Sequence, residues 1–223
     1  QSLLLVRPVE GLPVPALQVD ERAAMAQMVE HLVDQGCQRI AYVGSDPREV
    51  AGWRRYQGYA EAIWSHGLEL PMEWVFSVVS GEMASDERFP RVMEGDRRPT
   101  AIACSTDGLA VEVMARLASM GLSCPGDVAV VGLGDEPLVA YLPKPLTTFR
   151  FDLASLAAQA VQAVSALREG RALSLEPITG QVIIRDTCGA RLRRPRSSGE
   201  SDVQVRLTPA ASAPEENAKL PRP

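Results

Sequence analysis

Residues 128 to 137 read VAVVGLGDEP: an apolar run drives into two glycines two apart, then two acids and a proline. A G-x-G at the end of a strand raises the possibility of a backbone cradle for phosphate. The dinucleotide fingerprint also needs a third glycine and a helix opening behind the loop. Neither follows Gly132 and Gly134, since Pro137, Pro143 and Pro145 interrupt the segment. No G-x-x-x-x-G-K-S/T occurs anywhere, so nucleotide chemistry has little support.

Acid–base chemistry fares no better. Asp107 and Asp135 each follow an apolar run, yet without an acid–base partner they read as N-capping or hydroxyl-binding residues. His31 and His66 fall on helical stretches with no metal-ligand spacing between them, and no G-x-S-x-G elbow is present. No catalytic residue, metal site or cofactor is assigned. Cys37, Cys104, Cys124 and Cys188 stand far apart with no CxxC pair, which reads as reduced, core-type thiols and favours the cytoplasm.

The residues that break a local rule are Arg54 and Arg55 in GWRRYQGY, residues 52 to 59. A helical pattern from Trp53 puts them in its first turn, where the helix dipole disfavours positive charge by roughly 0.3 to 1 kcal/mol. A guanidinium there can reach into a cleft and grip hydroxyls or a carboxylate. The alternative is a surface salt bridge with Glu49 or Glu61.

The elements that would position these groups alternate regularly. Strand-like runs lie at Leu3 to Val6, Arg39 to Val43, Trp74 to Val79, Thr100 to Cys104, Val128 to Val131 and Val182 to Ile184. Helical patterns cover Glu21 to Gln35, Trp53 to His66, Glu82 to Glu94, Asp107 to Met120 and Leu153 to Glu169, each with a glycine stop. Strands too apolar for a wet face, alternating with helices, predict an α/β fold: a parallel sheet with helices on both faces. Such sheets bind ligands beyond the carboxyl ends of their strands, which is where the opening loop falls.

Charge sets the tail apart. From Ala190 onward seven basic residues face four acidic ones, so the tail carries +3 of a net charge of −5 and the body −8. Its Pro, Ser, Ala and Glu content reads as a disordered extension, and RLRRPR, residues 191 to 196, as a solvated basic run. No apolar run approaches the roughly 20 residues of a membrane-spanning helix. QSLLLVRPVEGLP has neither an initiator Met nor the regions of a secretory signal, which reads as a cut chain.

In order along the chain, VDERAAMAQMVEHLVDQGCQRIAYVGS, RRYQGY, RPTAIACSTDGLAVEVMARLASMGLSCPGDVAVVGLGDEP, YLPKPLTTF and VIIRDT resemble the effector-binding part of LacI/GalR-type bacterial transcription regulators. The resemblance covers roughly Leu3 to Thr187. It implies a periplasmic-binding-protein-like fold whose two lobes enclose a small effector, a sugar or other small metabolite, with no enzymatic activity. DNA would be bound only through an amino-terminal helix-turn-helix absent from this chain. The rival is a periplasmic sugar-binding protein of a transport system, which shares the fold.

Carried over, the resemblance divides the chain into a remnant of the first, incomplete lobe (1–17), the second lobe (18–149), a crossover with a first-lobe helix (150–172), a return strand to the second lobe (173–189) and the tail (190–223). Arg55 matches the pocket arginine in its R-x-x-G-F/Y setting, and Arg48 lies near a second ligand position. Thr106 and Asp107 match an Asn-Asp step, and Asp20 an acid near the cleft entrance that also suits a cap. Where the family has an aromatic and then Asp or Asn after the first glycine, this chain has Leu133 and Gly134, leaving Asp135 as a displaced carboxylate. Ser80 to Met83 lacks an aromatic platform. The resemblance further implies a homodimer, with Val111, Met114, Ala115, Tyr141 and Leu142 near the two-fold axis, and no membrane partner.

Overall fold

A computed structural model describes residues 3–6, 14–45, 50–78, 81, 83 and 86–190. The expected tail, its basic run and Arg48 lie outside them. Among the described residues eight strands and five α-helices follow one another: β1 (Leu4–Val6), β2 (Ala16–Gln18), α1 (Glu21–Asp34), β3 (Ile40–Gly44), α2 (Val50–Ser65), β4 (Val75–Ser77), α3 (Arg88–Glu94), β5 (Ala101–Cys104), α4 (Asp107–Ser119), β6 (Ala129–Val131), β7 (Thr148–Phe151), α5 (Leu153–Arg168) and β8 (Gly180–Ile183).

The centre is a four-stranded parallel sheet in the order β4-β3-β5-β6. Its register sets Ile40 beside Ala101 and Ala101 beside Ala129. Every residue of β3, β5 and β6 is buried, so neither face is wet. Alternation sends Ile40, Tyr42, Ala101 and Ala103 against Met25, Met28 and Leu32 of α1 and Tyr59 and Ile63 of α2. The other phase, Ala41, Val43, Ile102 and Cys104, packs with Phe89 and Met93 of α3 and Leu109, Val113 and Leu117 of α4. The expected two-sided cover is therefore present, and it leaves the carboxyl edge of the sheet as the open end.

Three differences from the sequence expectation have physical causes. β2 was not expected, because three residues between Pro15 and the helix cap carry no period; tertiary pairing with β1 makes them a strand. LTTF read only as a crossover, but Thr148–Phe151 is a strand, paired antiparallel with β8 from Thr148 beside Ile183 to Phe151 beside Gly180. The architecture is thus not wholly parallel. Third, α2 begins at Val50 rather than Trp53, which moves Arg54 and Arg55 into its second turn and relieves most of the dipole conflict. Helix α3 is shorter than its pattern, seven residues from Arg88.

Helices α1 and α2 meet at a glycine. A Cβ built on Gly58 would stand 2.1 Å from the Arg22 carbonyl oxygen and 3.2 Å from the Ala26 nitrogen. Gly58→Ala would gain about 1 kcal/mol in helix propensity, but the clash is with backbone and forces the helices apart. Gly58→Val should lower stability by about 1–3 kcal/mol and depress the midpoint of thermal unfolding; an unchanged midpoint would show that the contact can open freely.

Candidate functional site

The site residues lie where β3, β5 and β6 end. At the mouth of β5, Thr106 is extended and caps α4, its Oγ1 accepting from the Leu109 N–H at 3.2 Å. Asp107 begins the helix and is wholly buried. One carboxylate oxygen accepts from the Thr148 hydroxyl at 2.5 Å, and the other from the Glu136 N–H at 2.8 Å. Burial pushes its carboxyl above the ordinary carboxylate range, and these two bonds only partly pull it back.

This carboxylate accounts for the GLG sequence. A Cβ at Gly132 would stand 2.3 Å from Asp107 Oδ1 and 3.2 Å from the Asp107 Cα, so only glycine leaves room for the buried acid. Gly134 has φ +136°, a conformation that side chains rarely adopt, and its missing Cβ would face Asp107 Oδ2 at 3.5 Å. Gly132 thus accommodates a side chain of the protein itself, and Gly134 answers to its backbone conformation.

Asp135 follows in the left-handed region at φ 54°. Its carboxylate accepts from Arg185 Nη2 at 2.7 Å and from Arg150 Nε at 2.5 Å. Burial opposes ionisation there, but the bonds from Arg185 and Arg150 outweigh it and hold the carboxyl below its ordinary range. Next to this pair a cleft of about 710 Å³ opens, lined by Gly134, Asp135, Arg150, Asp152, Thr179 and Gln181 among others.

On the other side of the sheet edge, Arg55 spans three elements. Its Nη1 donates to the Ser105 carbonyl at 2.8 Å and its Nη2 to Glu21 Oε1 at 2.7 Å. The pair is largely buried, with side-chain exposures of 13% for Arg55 and 6% for Glu21, and so is not the surface bridge considered from sequence. Glu61 is taken by Arg22 at 2.6 Å, and Arg54 donates to Gln18 at 2.6 Å. Asp20 caps α1, accepting from the Ala23 N–H at 3.0 Å.

Two groups of predicted residues thus assemble at one edge: Thr106, Asp107 and Asp135 at one end, Arg55 with Asp20 near the other. Glu21, Ser105, Thr148, Arg150 and Arg185 were missed, because their partners lie 15 or more residues away and no local spacing signals such pairs. Of the dimer candidates, Tyr141, Val111 and Ala115 are exposed, whereas Met114 and Leu142 are partly buried against the α3/α4 core. Among the described residues no cluster of His, Cys, Asp or Glu could hold a metal ion.

A parallel sheet covered on both faces, with charged side chains gathered at its carboxyl edge and strands crossing out beside them, is a ligand-binding lobe of periplasmic-binding type. The profile described as "Periplasmic binding protein-like domain" matches residues 29–188. The chain belongs to this family, and the curated relatives it matches are regulators of the LacI/GalR type. It is 28% identical over 171 residues to the HTH-type transcriptional regulator GalR of Escherichia coli, covering 77% of this chain and 50% of that protein. To MalR of Streptomyces coelicolor it is 31% identical over 156 residues, 66% of this chain and 44% of the relative.

Among solved structures, a LacI-family regulatory protein from Chloroflexus aggregans matches with a TM-score of 0.75 at 26% identity, covering 83% of this chain and 67% of that one. A LacI-family regulator from Lactobacillus casei solved with bound glucose matches the fold with a TM-score of 0.68 at 24% identity, over 83% of this chain and 69% of that one. The chain spans about half the length of the curated relatives it matches. These relatives are transcription regulators rather than enzymes, and a transport protein is not favoured.

The Asp135 pair makes a pH prediction. A carboxylate whose folded pKa is depressed contributes stability above its unfolded pKa, about 3.9, and loses it as pH falls through the lower folded value. Asp135→Asn keeps a residue that tolerates the left-handed backbone while removing the charge. It should cost about 1–3 kcal/mol at pH 7, with the gap to the unsubstituted protein closing below about pH 4 in denaturant titrations; a gap independent of pH would assign the cost to geometry alone.

Proposed function

We propose that this chain is the effector-sensing and dimerising portion of a LacI/GalR-type transcription regulator, without catalytic activity of its own. A small metabolite binds at the carboxyl edge of the β4-β3-β5-β6 sheet. DNA is contacted by a region outside this chain, and the protein acts in the cytoplasm. The observation that carries this reading is Arg55: it joins the starts of α1 and α2 to the end of β5 at the edge where sheets of this class receive ligands. The Lactobacillus casei neighbour, solved with glucose, sets the size expected of an effector.

The division into lobes follows the same reading: residues 18–149 form the second lobe, closed by the strand in 173–189, while 1–17 and 150–172 belong to the first. The outer face of α5 supports it, since Leu153, Val161 and Val164 are exposed, an apolar stripe that more of a first lobe would cover. Thr106, Asp107, Asp20 and Asp135 stand around the carboxyl edge, and Arg48 joins the proposed ligand residues on the family resemblance alone. Their described side chains act mainly by holding its walls, and Arg55 is the residue a ligand meets.

Removing Arg55 alone would strand the buried Glu21 carboxylate at a cost of about 3–5 kcal/mol. The informative variant is therefore Glu21→Gln with Arg55→Gln, which removes both charges together. A thermal-shift screen of monosaccharides and small organic acids should give a stabilising ligand for the parent protein, and the double variant should bind it at least about tenfold more weakly, a difference of 1.4 kcal/mol. Equal affinity in both would remove Arg55 from the site.

For assembly, exposed Tyr141 and Val111, on the 3-10 turn after β6 and on α4, supply the apolar surface of a two-fold contact. The protein should sediment as a dimer at micromolar concentration, and Tyr141→Asp with Val111→Asp should shift it to monomer. A monomeric parent would refute the interface.

A further inference from the structure

The cysteines read from sequence as separate core thiols, but the fold sets two of them side by side. The Thr187 carbonyl oxygen accepts from the Val130 N–H at 2.9 Å and from the Cys124 thiol at 3.6 Å. One residue further along each segment, a Cβ built at Gly189 would stand 3.7 Å from the Pro125 Cβ. Residues 124–125 and 187–189 therefore run against each other, and Cys124 and Cys188 lie between the two contacts. Backbones this close bring two cysteines into the range that a disulfide spans. Both thiols are free, Cys188 buried and Cys124 half-buried.

Their surroundings differ. The His31 imidazole, in the last turn of α1, and the Thr147 hydroxyl hydrogen-bond to the Cys188 sulfur, and the Ala190 N–H joins them. Thr147 Oγ1 accepts from the Arg185 N–H at 2.9 Å, which leaves its own hydrogen for the sulfur. The Cys188 thiol proton is held by the Arg185 carbonyl at a long 3.9 Å. Burial works to push this thiol up, yet the surrounding donors and the His31 charge outweigh it and bring it below the ordinary thiol range. At Cys124 burial wins: it pushes the thiol up to about 12, opposed only in part by the Val130 N–H and the Lys144 charge. One sulfur is disposed to attack as a thiolate, while its neighbour stays a thiol and can resolve the product.

We propose that Cys188 and Cys124 are a peroxide-sensitive pair that closes to a disulfide, with His31 and Thr147 positioning the attacking sulfur. The Cys188 thiolate attacks one oxygen of a hydroperoxide and the O–O bond breaks. Sulfur keeps that oxygen as a sulfenic acid, and the hydroxide that leaves takes up the proton the Cys188 thiol had given up. The Cys124 sulfur then attacks the sulfenic sulfur, an S–S bond forms as the S–O bond breaks, and the Cys124 proton departs with the oxygen as a second water. The two thiols lose two electrons, and hydrogen peroxide is reduced to two waters. In a reducing compartment such a pair stands open and closes only under oxidant.

The new bond would fall on the segment that holds the site edge. Arg185, three residues before Cys188, donates to Asp135 at 2.7 Å and to the Leu146 carbonyl at 2.8 Å. The Asp186 N–H donates to the Pro145 carbonyl at 3.0 Å. Closure ties this segment covalently to the turn before β6, so oxidation bears on the Asp135 network whether or not an effector binds at Arg55. The pair goes beyond the effector-site reading and does not depend on it.

The test treats the reduced full chain with hydrogen peroxide, counts remaining thiols after denaturation, and maps disulfides by mass spectrometry. Two of the four thiols should disappear, recovered in one linked pair of peptides joining Cys124 to Cys188 within one chain, and dithiothreitol should restore both. Cys124→Ser should stop the reaction at a Cys188 sulfenic acid that dimedone traps. His31→Asn should slow thiol loss by about tenfold, a rate that a merely structural histidine would leave unchanged in a variant with the parent's circular dichroism. The parent result stands without the variants, so a variant that fails to fold leaves the pair testable. Four thiols surviving excess peroxide, a disulfide between other cysteines, or a link between two chains would each overturn the proposal.

Discussion

The buried carboxylate of Asp107 is the constraint around which the carboxyl edge is built. A charge without solvent must be met by donors, and the chain supplies them from two places distant in sequence, the Thr148 hydroxyl and the Glu136 amide. Meeting it also takes space, which Gly132 provides by having no side chain. The consequence is geometric: α4, the loop after β6 and the crossing strand β7 are tied to one point. Thr148 extends the tie, since its oxygen also accepts from the Asp135 N–H at 3.3 Å, and Asp135 in turn holds Arg150 and Arg185. Sheet edge and crossover are a single polar network.

A second tie, between Arg55 and Glu21, does the same for the opposite side. Glu21 opens α1, where a negative charge is favoured by the helix dipole, and Asp20 before it satisfies an orphan amide. Arg55 joins that helix start to Ser105 at the end of β5, one residue from the Thr106 cap. Both networks therefore end on the same short segment, Ser105 to Asp107. Displacement of Arg55 bears on the start of α4 without passing through the apolar core, because the residues between are backbone of one turn.

How much of this could be read from the chain depends on range. Helix α1 was legible to within a residue, since Asp20, the spacing from Ala24 to Val33, and Gly36 are local signals that packing reinforces. The buried strands were legible because a sheet covered on both faces needs continuous apolar runs. β2 was not, at three residues beside a proline, nor was the antiparallel pairing of β7 with β8, which only the register reveals. At the site the residue types were visible and their partners were not. Arg55 stood out in sequence, yet Glu21 lies 34 residues earlier, and a caps-only view of Glu21 is complete in itself. The glycine pair shows the same limit in reverse: a motif that resembles a ligand cradle is explained by an acid 25 residues upstream.

The two networks also take in Tyr42 of β3. Tyr42 sits in a strand whose other residues are apolar, in a phase that packs against Met25, Met28 and Ile63; a phenylalanine would fill the same volume without the hydroxyl. The Ser105 side chain and the Arg55 charge are the polar neighbours of that hydroxyl, so it belongs to the network at the sheet edge. Its position at the end of β3 joins the same edge that Asp107 and Arg55 hold rigid. A rigid frame of satisfied bonds fixes where a ligand's polar groups must come to lie before the ligand arrives, and that preorganisation is what distinguishes a binding edge from a merely polar one.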